Sequence, residues 1–235
     1  MATSPPSPEG ASTNSVEPSA EPSASNHPAG DQTISAPQPA EYHPAVKARI
    51  ERCAIDLFGR KGFAATSVRE IVEAAGVTKP SLYYYFRGKE HLYESLIVET
   101  LQSFHKELVE KTKASGSTRE RLLCIAQAHL ERVESEPMTV RFMFRALFGF
   151  AAQTPQIDFT HYAAETDGLI RQVLEEGAAK GELPHGAASD FAVVQFTGLL
   201  HIYIMRNAVG LRDDLSSPLA ERVVELFLKG LESCQ

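Results

Sequence analysis

The chain contains 235 residues, enough for a small domain and a larger one, and carries a formal net charge of −7 at pH 7. This charge is unevenly distributed. Residues 1–43 have five acidic and no basic side chains, residues 44–93 have five acidic and nine basic ones, and residues 94–235 have twenty acidic and fourteen basic ones. The composition therefore disfavours nucleic-acid binding for most of the chain and leaves it open for the single basic segment, residues 44–93.

The sequence also argues against several other classes of protein. Cys53, Cys124 and Cys234 are scattered and have no metal-ligand spacing, so we expect neither a metal site nor a disulfide framework, which fits a reducing cytoplasm. No apolar run reaches the ~18 residues of a membrane span, and the N-terminus lacks a signal peptide's apolar core. Because the chain has no glycine-rich phosphate loop, nucleophile elbow or acid pair, we expect no cofactor and no enzymatic activity.

The first segment, residues 1–43, consists largely of Pro, Ser, Ala and Glu. Such a composition buries too little apolar surface to offset its ordering entropy, so we predict a disordered N-terminal extension. An overlong start of the chain would explain the same composition.

A helix is predicted next, over residues 44–60, followed by a second helix that Ser67 and Glu70 open as a capping box. Gly76 marks the turn after it, since glycine tolerates a left-handed backbone. Thr78 can cap a third helix, over residues 79–86, in whose first turn a proline is tolerated. Two short helices joined by a tight turn are typical of a helix-turn-helix, whose second helix lies in the DNA major groove.

The residues of this segment resemble the DNA-binding domain of the TetR family of bacterial transcriptional repressors. The resemblance covers about fifty residues and rests on three strings, namely Phe58-Gly59-Arg60-Lys61-Gly62-Phe63, Ala75-Gly76-Val77-Thr78-Lys79 and Leu82-Tyr83-Tyr84-Tyr85-Phe86, followed by Lys89-Glu90-His91-Leu92. Tyr85 stands where histidine is common, and Pro80 stands where a smaller residue is frequent. Both lie near the predicted reading face, so the operator of a relative cannot be assumed.

Contacts with DNA are assigned from the geometry of a helix-turn-helix. The residues expected to meet base edges lie at the N-terminal end of the recognition helix: Lys79, Pro80, Ser81 and Tyr83. Those expected to bind phosphates are Tyr84, Lys89 and the hydroxyl groups of Thr66, Ser67 and Thr78. The alternative, that the three consecutive tyrosines only pack, remains open, chiefly for Tyr85.

A fourth helix is predicted from Gly88 or Lys89 past Leu108, linking two domains. Further helices are predicted after the capping box Ser117–Glu120, over residues 138–150, 160–180 and 188–207, and from Ser217-Pro218 onward. No stretch alternates convincingly as a strand, so the predicted fold is all-α. It comprises a three-helix helix-turn-helix domain over residues 44–91 and a helical ligand-binding and dimerisation domain over residues 92–235.

The resemblance implies that the second domain encloses a small-molecule pocket and forms a homodimer. The pocket candidates are Phe104, His129, Phe142 and Phe148, which would favour an apolar or aromatic effector. The dimer candidates lie on the last two helices: Val194, Gly198, His201, Met205, Val223, Leu226 and Phe227. The chain is therefore expected to be a homodimeric repressor released by an effector from an inverted-repeat site on double-stranded DNA. An effector-independent DNA-binding protein with a solid second domain is the alternative.

Overall fold

In the computed structural model, the described residues are 43–113, 116–148, 154–211, 215 and 217–233. The predicted N-terminal extension lies outside these residues except for His43, and so do Phe150 and Cys234. The described part of the chain folds as helices with no strand, as the sequence predicted. The helices are α1 (Pro44–Lys61), α2 (Val68–Ala75), α3 (Lys79–Tyr85), α4 (Lys89–Lys113), α5 (Thr118–Ser135), α6 (Pro137–Phe148), α7 (Thr160–Ala179), α8 (Asp190–Ala208) and α9 (Ser217–Ser233).

The helix ends follow the capping chemistry of the sequence. Ser67 accepts a hydrogen bond from the amide of Glu70, whose carboxylate accepts one from the Ser67 amide, and Ser117 with Glu120 repeats this arrangement at α5. Gly76 ends α2 with φ of 59°, in the left-handed region where a side chain would be strained. These local interactions fix where the helices begin and end.

Two hydrophobic cores lie within one compact helical unit. The first joins α1, α2, α3 and the beginning of α4, and its largest buried side chains are Phe58, Phe86, Ile50, Ile71, Leu82, Leu92 and Ile97. The second joins the end of α4 with α5, α7, α8 and α9. Helix α4 contributes to both, with Leu92 to Ile97 in the first core and Leu108 in the second. The link that the sequence predicted for this helix is therefore present in the packing.

Helix α6 also belongs to the first core, although it follows α5 in the chain. The ring of Phe142 packs against both Phe58 and Tyr93, with centroid distances of 5.9 and 5.2 Å. Gly59 on α1 allows the close approach, since a Cβ there would lie 2.9 Å from the carbonyl oxygen of Met138. Arg145 donates a hydrogen bond to the carbonyl of Arg60 at 3.3 Å. Helix α6 is thus seated directly on the helix-turn-helix unit.

Candidate DNA-binding surface and ligand cavity

The recognition helix α3 presents an exposed polar face beside a buried one. Leu82 is fully buried and anchors the helix, whereas Tyr83 and Tyr84 are about half exposed, at 52% and 50%. Lys79 is exposed and forms no ion pair with any described residue. The N-terminal end of α3 thus offers a free ammonium group and phenol groups to a partner.

Thr78 and Ser81 fix the start of this helix. The Thr78 hydroxyl accepts a hydrogen bond from the Ser81 amide at 3.3 Å, and the two hydroxyl groups lie 2.9 Å apart. Tyr85 is held differently, since its phenol oxygen accepts from the His43 amide at 2.9 Å and donates to the His43 carbonyl. The packing alternative that the sequence left open for Tyr85 matches these contacts, whereas Tyr83 and Tyr84 remain accessible.

Two of the residues assigned to phosphate contact are occupied within the protein. Thr66 is buried, with 2% exposure, and its hydroxyl donates to the Gly62 carbonyl at 2.8 Å. The expectation that this hydroxyl binds phosphate was therefore wrong, because the group closes the corner between α1 and α2. Ser67 is exposed, but its hydroxyl donates to Glu70, and hydrogen bonds from Lys61 and Ser67 lower the pKa of Glu70 to about 2.

Lys89 lies at the start of α4, where the sequence placed a phosphate contact. Its ammonium donates to the carbonyls of Phe63 and Thr66 at 3.1 and 3.0 Å and lies 4.1 Å from the centroid of the Phe63 ring. Two of its three N–H groups are thus used to attach α4 to the turn before α2. One N–H group remains for a phosphate.

An open cleft of about 550 Å³ lies between these groups, and it includes a residue that the sequence reasoning missed. Arg87, in the turn before α4, is exposed, lines this cleft with Tyr83, Ser67 and Lys89, and forms no ion pair within the described part of the chain. The first-turn amides of a helix have no intrahelical partner and attract anions. Arg87 at the N-terminus of α4 has the position and charge of a phosphate-binding group, and its place in the basic segment was the available signal.

The second-domain cavity lies between α4, α5, α6, α7 and α8 and has a volume of about 500 Å³. Of the predicted pocket residues, Phe104, His129 and Phe148 line it. Phe142 does not, because it is fully buried against α1 in the first core, so its assignment to the pocket was wrong. Its neighbours Met143 and Phe144 line the cavity instead, so successive residues of α6 serve the first core and the cavity.

His129 is buried within the cavity wall, and its Nδ1 lies 2.8 Å from the carbonyl oxygen of Ile125. Burial lowers the pKa of this histidine from 6.5 to about 4, so the ring is neutral at pH 7. The ring contacts Phe104 edge to face, with centroids 4.7 Å apart. His129 is therefore packed against Phe104 and also contributes to the cavity wall.

The predicted dimer residues fall into three groups. Val194 and Leu226 are exposed, at 63% and 65%, as an unpaired apolar face requires. Gly198, His201 and Met205 also line the cavity, which places it next to this face. Val223 and Phe227 are buried inside the monomer at 3% and 1%, so their assignment to a dimer interface was wrong. The ring of Phe227 packs on Phe196, with centroids 4.9 Å apart, and so belongs to the second core.

No helix in the described ranges is long and apolar enough to cross a membrane. Within the same ranges, no group of three His, Cys, Asp or Glu side chains is arranged to hold a metal ion.

Comparison with known proteins identifies the fold and its family. Residues 52–96 match the family model of the bacterial regulatory proteins of the tetR family. The probable HTH-type transcriptional regulator YttP of Bacillus subtilis is 33% identical over 150 residues, which span 60% of this chain and 71% of that protein. The chain belongs to the TetR family. It is therefore a helix-turn-helix DNA-binding transcriptional regulator and not an enzyme.

Two other relatives add context for the TetR-family reading. The HTH-type transcriptional repressor KstR2 of Mycolicibacterium smegmatis is 27% identical over 129 residues, which span 54% of this chain and 62% of that protein. The crystal structure of the regulator FadR from Bacillus subtilis in complex with stearoyl-CoA superposes with a TM-score of 0.67 at 20% identity, over 78% of this chain and 98% of that one. At this identity the second similarity concerns the fold alone.

Proposed function

We propose that this TetR-family regulator is a homodimeric repressor that leaves an inverted-repeat operator when a small, mostly apolar molecule occupies the second-domain cavity. The observation that carries the proposal is the position of the cavity. Two of its walls, α4 and α6, continue into the first core, which holds the recognition helix. A cavity of about 500 Å³ falls in the 300–1,000 Å³ range of small-molecule sites. A solid second domain, the alternative, would lack such a space.

The proposed coupling acts through both helices. On α4, Phe104 lines the cavity and Leu92 to Ile97 lie in the first core. On α6, Met143 lines the cavity while Phe142 packs against Phe58. A ligand that moves either wall therefore moves the helix-turn-helix unit. It can weaken DNA binding only by its preference for the displaced state, typically about 1–3 kcal/mol, and DNA must weaken ligand binding equally.

The dimer proposal is supported by the exposed apolar side chains of α8 and α9. Phe191 and Val194 of α8 are 72% and 63% exposed, Val209 directly after α8 is 61% exposed, and Leu226 of α9 is 65% exposed. Exposed apolar side chains concentrated on the last two helices favour an interaction surface there. A two-fold axis between two copies would place the recognition helices about one DNA turn (~34 Å) apart, which predicts an inverted-repeat site.

For DNA contact, we propose that Lys79 and Tyr83 read bases and that Arg87 and Lys89 bind phosphates. The support is threefold: Lys79 and Arg87 are exposed and form no ion pair among the described residues, Tyr83 is half exposed, and Lys89 lies at the cleft. A bacterial regulator of this kind acts on the chromosome, and so we place it in the cytoplasm.

Selection of bound DNA from a random pool tests this function, and the expected product is an inverted repeat. Lys79→Ala and Tyr83→Phe should change the preferred sequence or cost about 1–3 kcal/mol at the favoured site. Arg87→Ala should lower the affinity for DNA of any sequence. It should also reduce the slope of log affinity against log salt concentration by roughly one unit. Lys106→Ala is the matched control, since Lys106 is exposed on α4 about 25 Å along the helix axis from Lys89.

Selection of a non-palindromic site, bound by a monomer, would contradict the dimer proposal. Unchanged sequence preference and affinity in both Lys79→Ala and Tyr83→Phe would contradict the assigned reading face. If Arg87→Ala behaves as Lys106→Ala does, the proposed phosphate contact is refuted.

A further inference from the structure

One group of polar side chains in the cavity wall comes from α5, α7 and α8. We call Asp167, His129 and His201 the acceptor cluster. Thr197 donates a hydrogen bond to Asp167 Oδ1 at 3.3 Å, and the rings of His129 and His201 are 6.3 Å apart. The α6 wall, by contrast, is largely apolar. The cavity thus has ionisable side chains on its α5, α7 and α8 walls and a largely apolar wall on α6.

His129 contributes an acceptor and no donor to this space. Its Nδ1 lies 2.8 Å from the Ile125 carbonyl, and a carbonyl oxygen only accepts, so the proton of the neutral ring sits on Nδ1. The second nitrogen, Nε2, is then left with a lone pair. Because this lone pair accepts a hydrogen bond, it favours a ligand with a hydroxyl or N–H group.

Asp167 contributes a charge that the protein does not balance. Its only hydrogen bond in the described part of the chain comes from the neutral hydroxyl of Thr197, and no Lys or Arg there forms an ion pair with it. His201 is exposed on α8, but partial desolvation of its ring lowers its pKa below the ordinary value, and the Asp167 charge opposes that shift. A carboxylate beside apolar walls gains more from a charged hydrogen-bond donor than it would in water.

Arg132 is the one Lys or Arg among the described lining residues, and it is already engaged. Its guanidinium lies 3.5 Å from both Glu107 and Glu136 and 4.8 Å from the centroid of the Phe104 ring. Its charge is thereby offset by carboxylates outside the acceptor cluster. An anionic head group of a ligand would be repelled by Asp167, and no described lining cation is free to offset this repulsion. An unpaired charge of this kind disfavours anionic ligands as well as favouring cationic ones.

We propose that the effector is an apolar molecule with one hydrogen-bond-donating end, a protonated amine or a hydroxyl group, which Asp167 and His129 bind at the acceptor cluster. This inference rests on the proposed function of the cavity as an effector site. Of the two donor groups, the amine matches the cluster better, because it also balances the charge of Asp167. A free carboxylic acid of the same length is discriminated against.

Three probes that share a ten-carbon chain and differ in their head group test the inference: decylamine, decanol and decanoate. Each is titrated into the protein by calorimetry below its aggregation limit. The wild-type protein should bind the amine most tightly, the alcohol next and the carboxylate most weakly. Asp167→Asn keeps the side-chain shape and an acceptor for the Thr197 hydroxyl. It should lower the affinity for the amine by about tenfold or more while leaving the affinity for the alcohol nearly unchanged. His129→Phe removes the Nε2 acceptor and should weaken the alcohol.

Glu175→Gln is the matched control, because Glu175 is exposed on the same helix as Asp167 and does not line the cavity. Glu175→Gln removes one negative charge, as Asp167→Asn does. If amines bound only through a general attraction to the acidic protein, both variants would lose the same amine affinity. That result, or tighter binding of decanoate than of decylamine, overturns the inference and leaves a ligand-controlled regulator intact. Binding of no probe overturns the inference as well. Tight, Asp167-dependent amine binding without release of operator DNA supports the ligand chemistry assigned to the cavity while refuting its proposed coupling to DNA binding.

Discussion

The close packing of α6 against α1 can be tested by adding one methyl group at Gly59. In Gly59→Ala, the new Cβ would lie 2.9 Å from the Met138 carbonyl oxygen and 3.6 Å from the Phe142 amide nitrogen. Both are backbone atoms, so the strain cannot be relieved by rotating a side chain. Ordinary contact begins near 3.4 Å, and α6 must therefore retreat by about 0.5 Å. Because α6 also lines the cavity, its displacement should reach both the DNA-binding unit and the ligand site.

The magnitude follows from two opposing effects. Overpacking a core contact costs about 1–3 kcal/mol, whereas replacing glycine by alanine within a helix gains up to about 1 kcal/mol. Gly168→Ala on α7 is the matched control, since a Cβ at Gly168 meets nothing within 4 Å and shows the helix gain alone. The difference between the two variants in unfolding free energy should therefore be about 1–3 kcal/mol, which corresponds to a few degrees in Tm.

Urea unfolding of both variants measures this difference, and titration with operator DNA, with and without a cavity ligand, measures its functional effect. We expect Gly59→Ala to lose stability relative to Gly168→Ala and to change operator affinity or the ligand's effect on it. Equal stability and equal DNA affinity in the two variants would refute the reasoning, because α6 would then not be fixed on α1 at Gly59.

Three further predictions concern other contacts. Gly177→Ala should destabilise by about 1–3 kcal/mol in urea unfolding, since its Cβ would lie 2.2 Å from Oγ1 of the buried Thr118, whereas Gly168→Ala should not. His129 has a folded-state pKa of about 4 against 6.5 unfolded, so the native state binds fewer protons and stability should fall by roughly 3 kcal/mol as the pH drops through this interval. The same loss in His129→Phe would contradict this origin. Leu226→Glu, at a side chain 65% exposed in the monomer, should give monomers or aggregates in sedimentation and lose operator binding. An intact Leu226→Glu dimer would place the interface elsewhere.

The sequence determined the helices and the DNA-binding unit of this protein. Capping pairs, a left-handed glycine and apolar spacing act within a few residues, so they can be read without the fold. The predicted ends of α1 and α7 accordingly agree with the structure within one residue. The recognition-helix candidates follow for the same reason, since their position depends only on where α3 begins.

Only the tertiary structure decided which neighbour covers each apolar face. Phe142 and Phe148 lie on one helix, but Phe142 packs against α1 and Phe148 lines the cavity. Similarly, Leu226 is exposed while the adjacent Phe227 packs on α8. The spacing of apolar residues shows which face of a helix is buried. The residues that cover this face are distant in the chain, so the spacing does not identify them. Asp167 is the clearest case, because its position in the cavity wall depends on how α7 packs against the other helices.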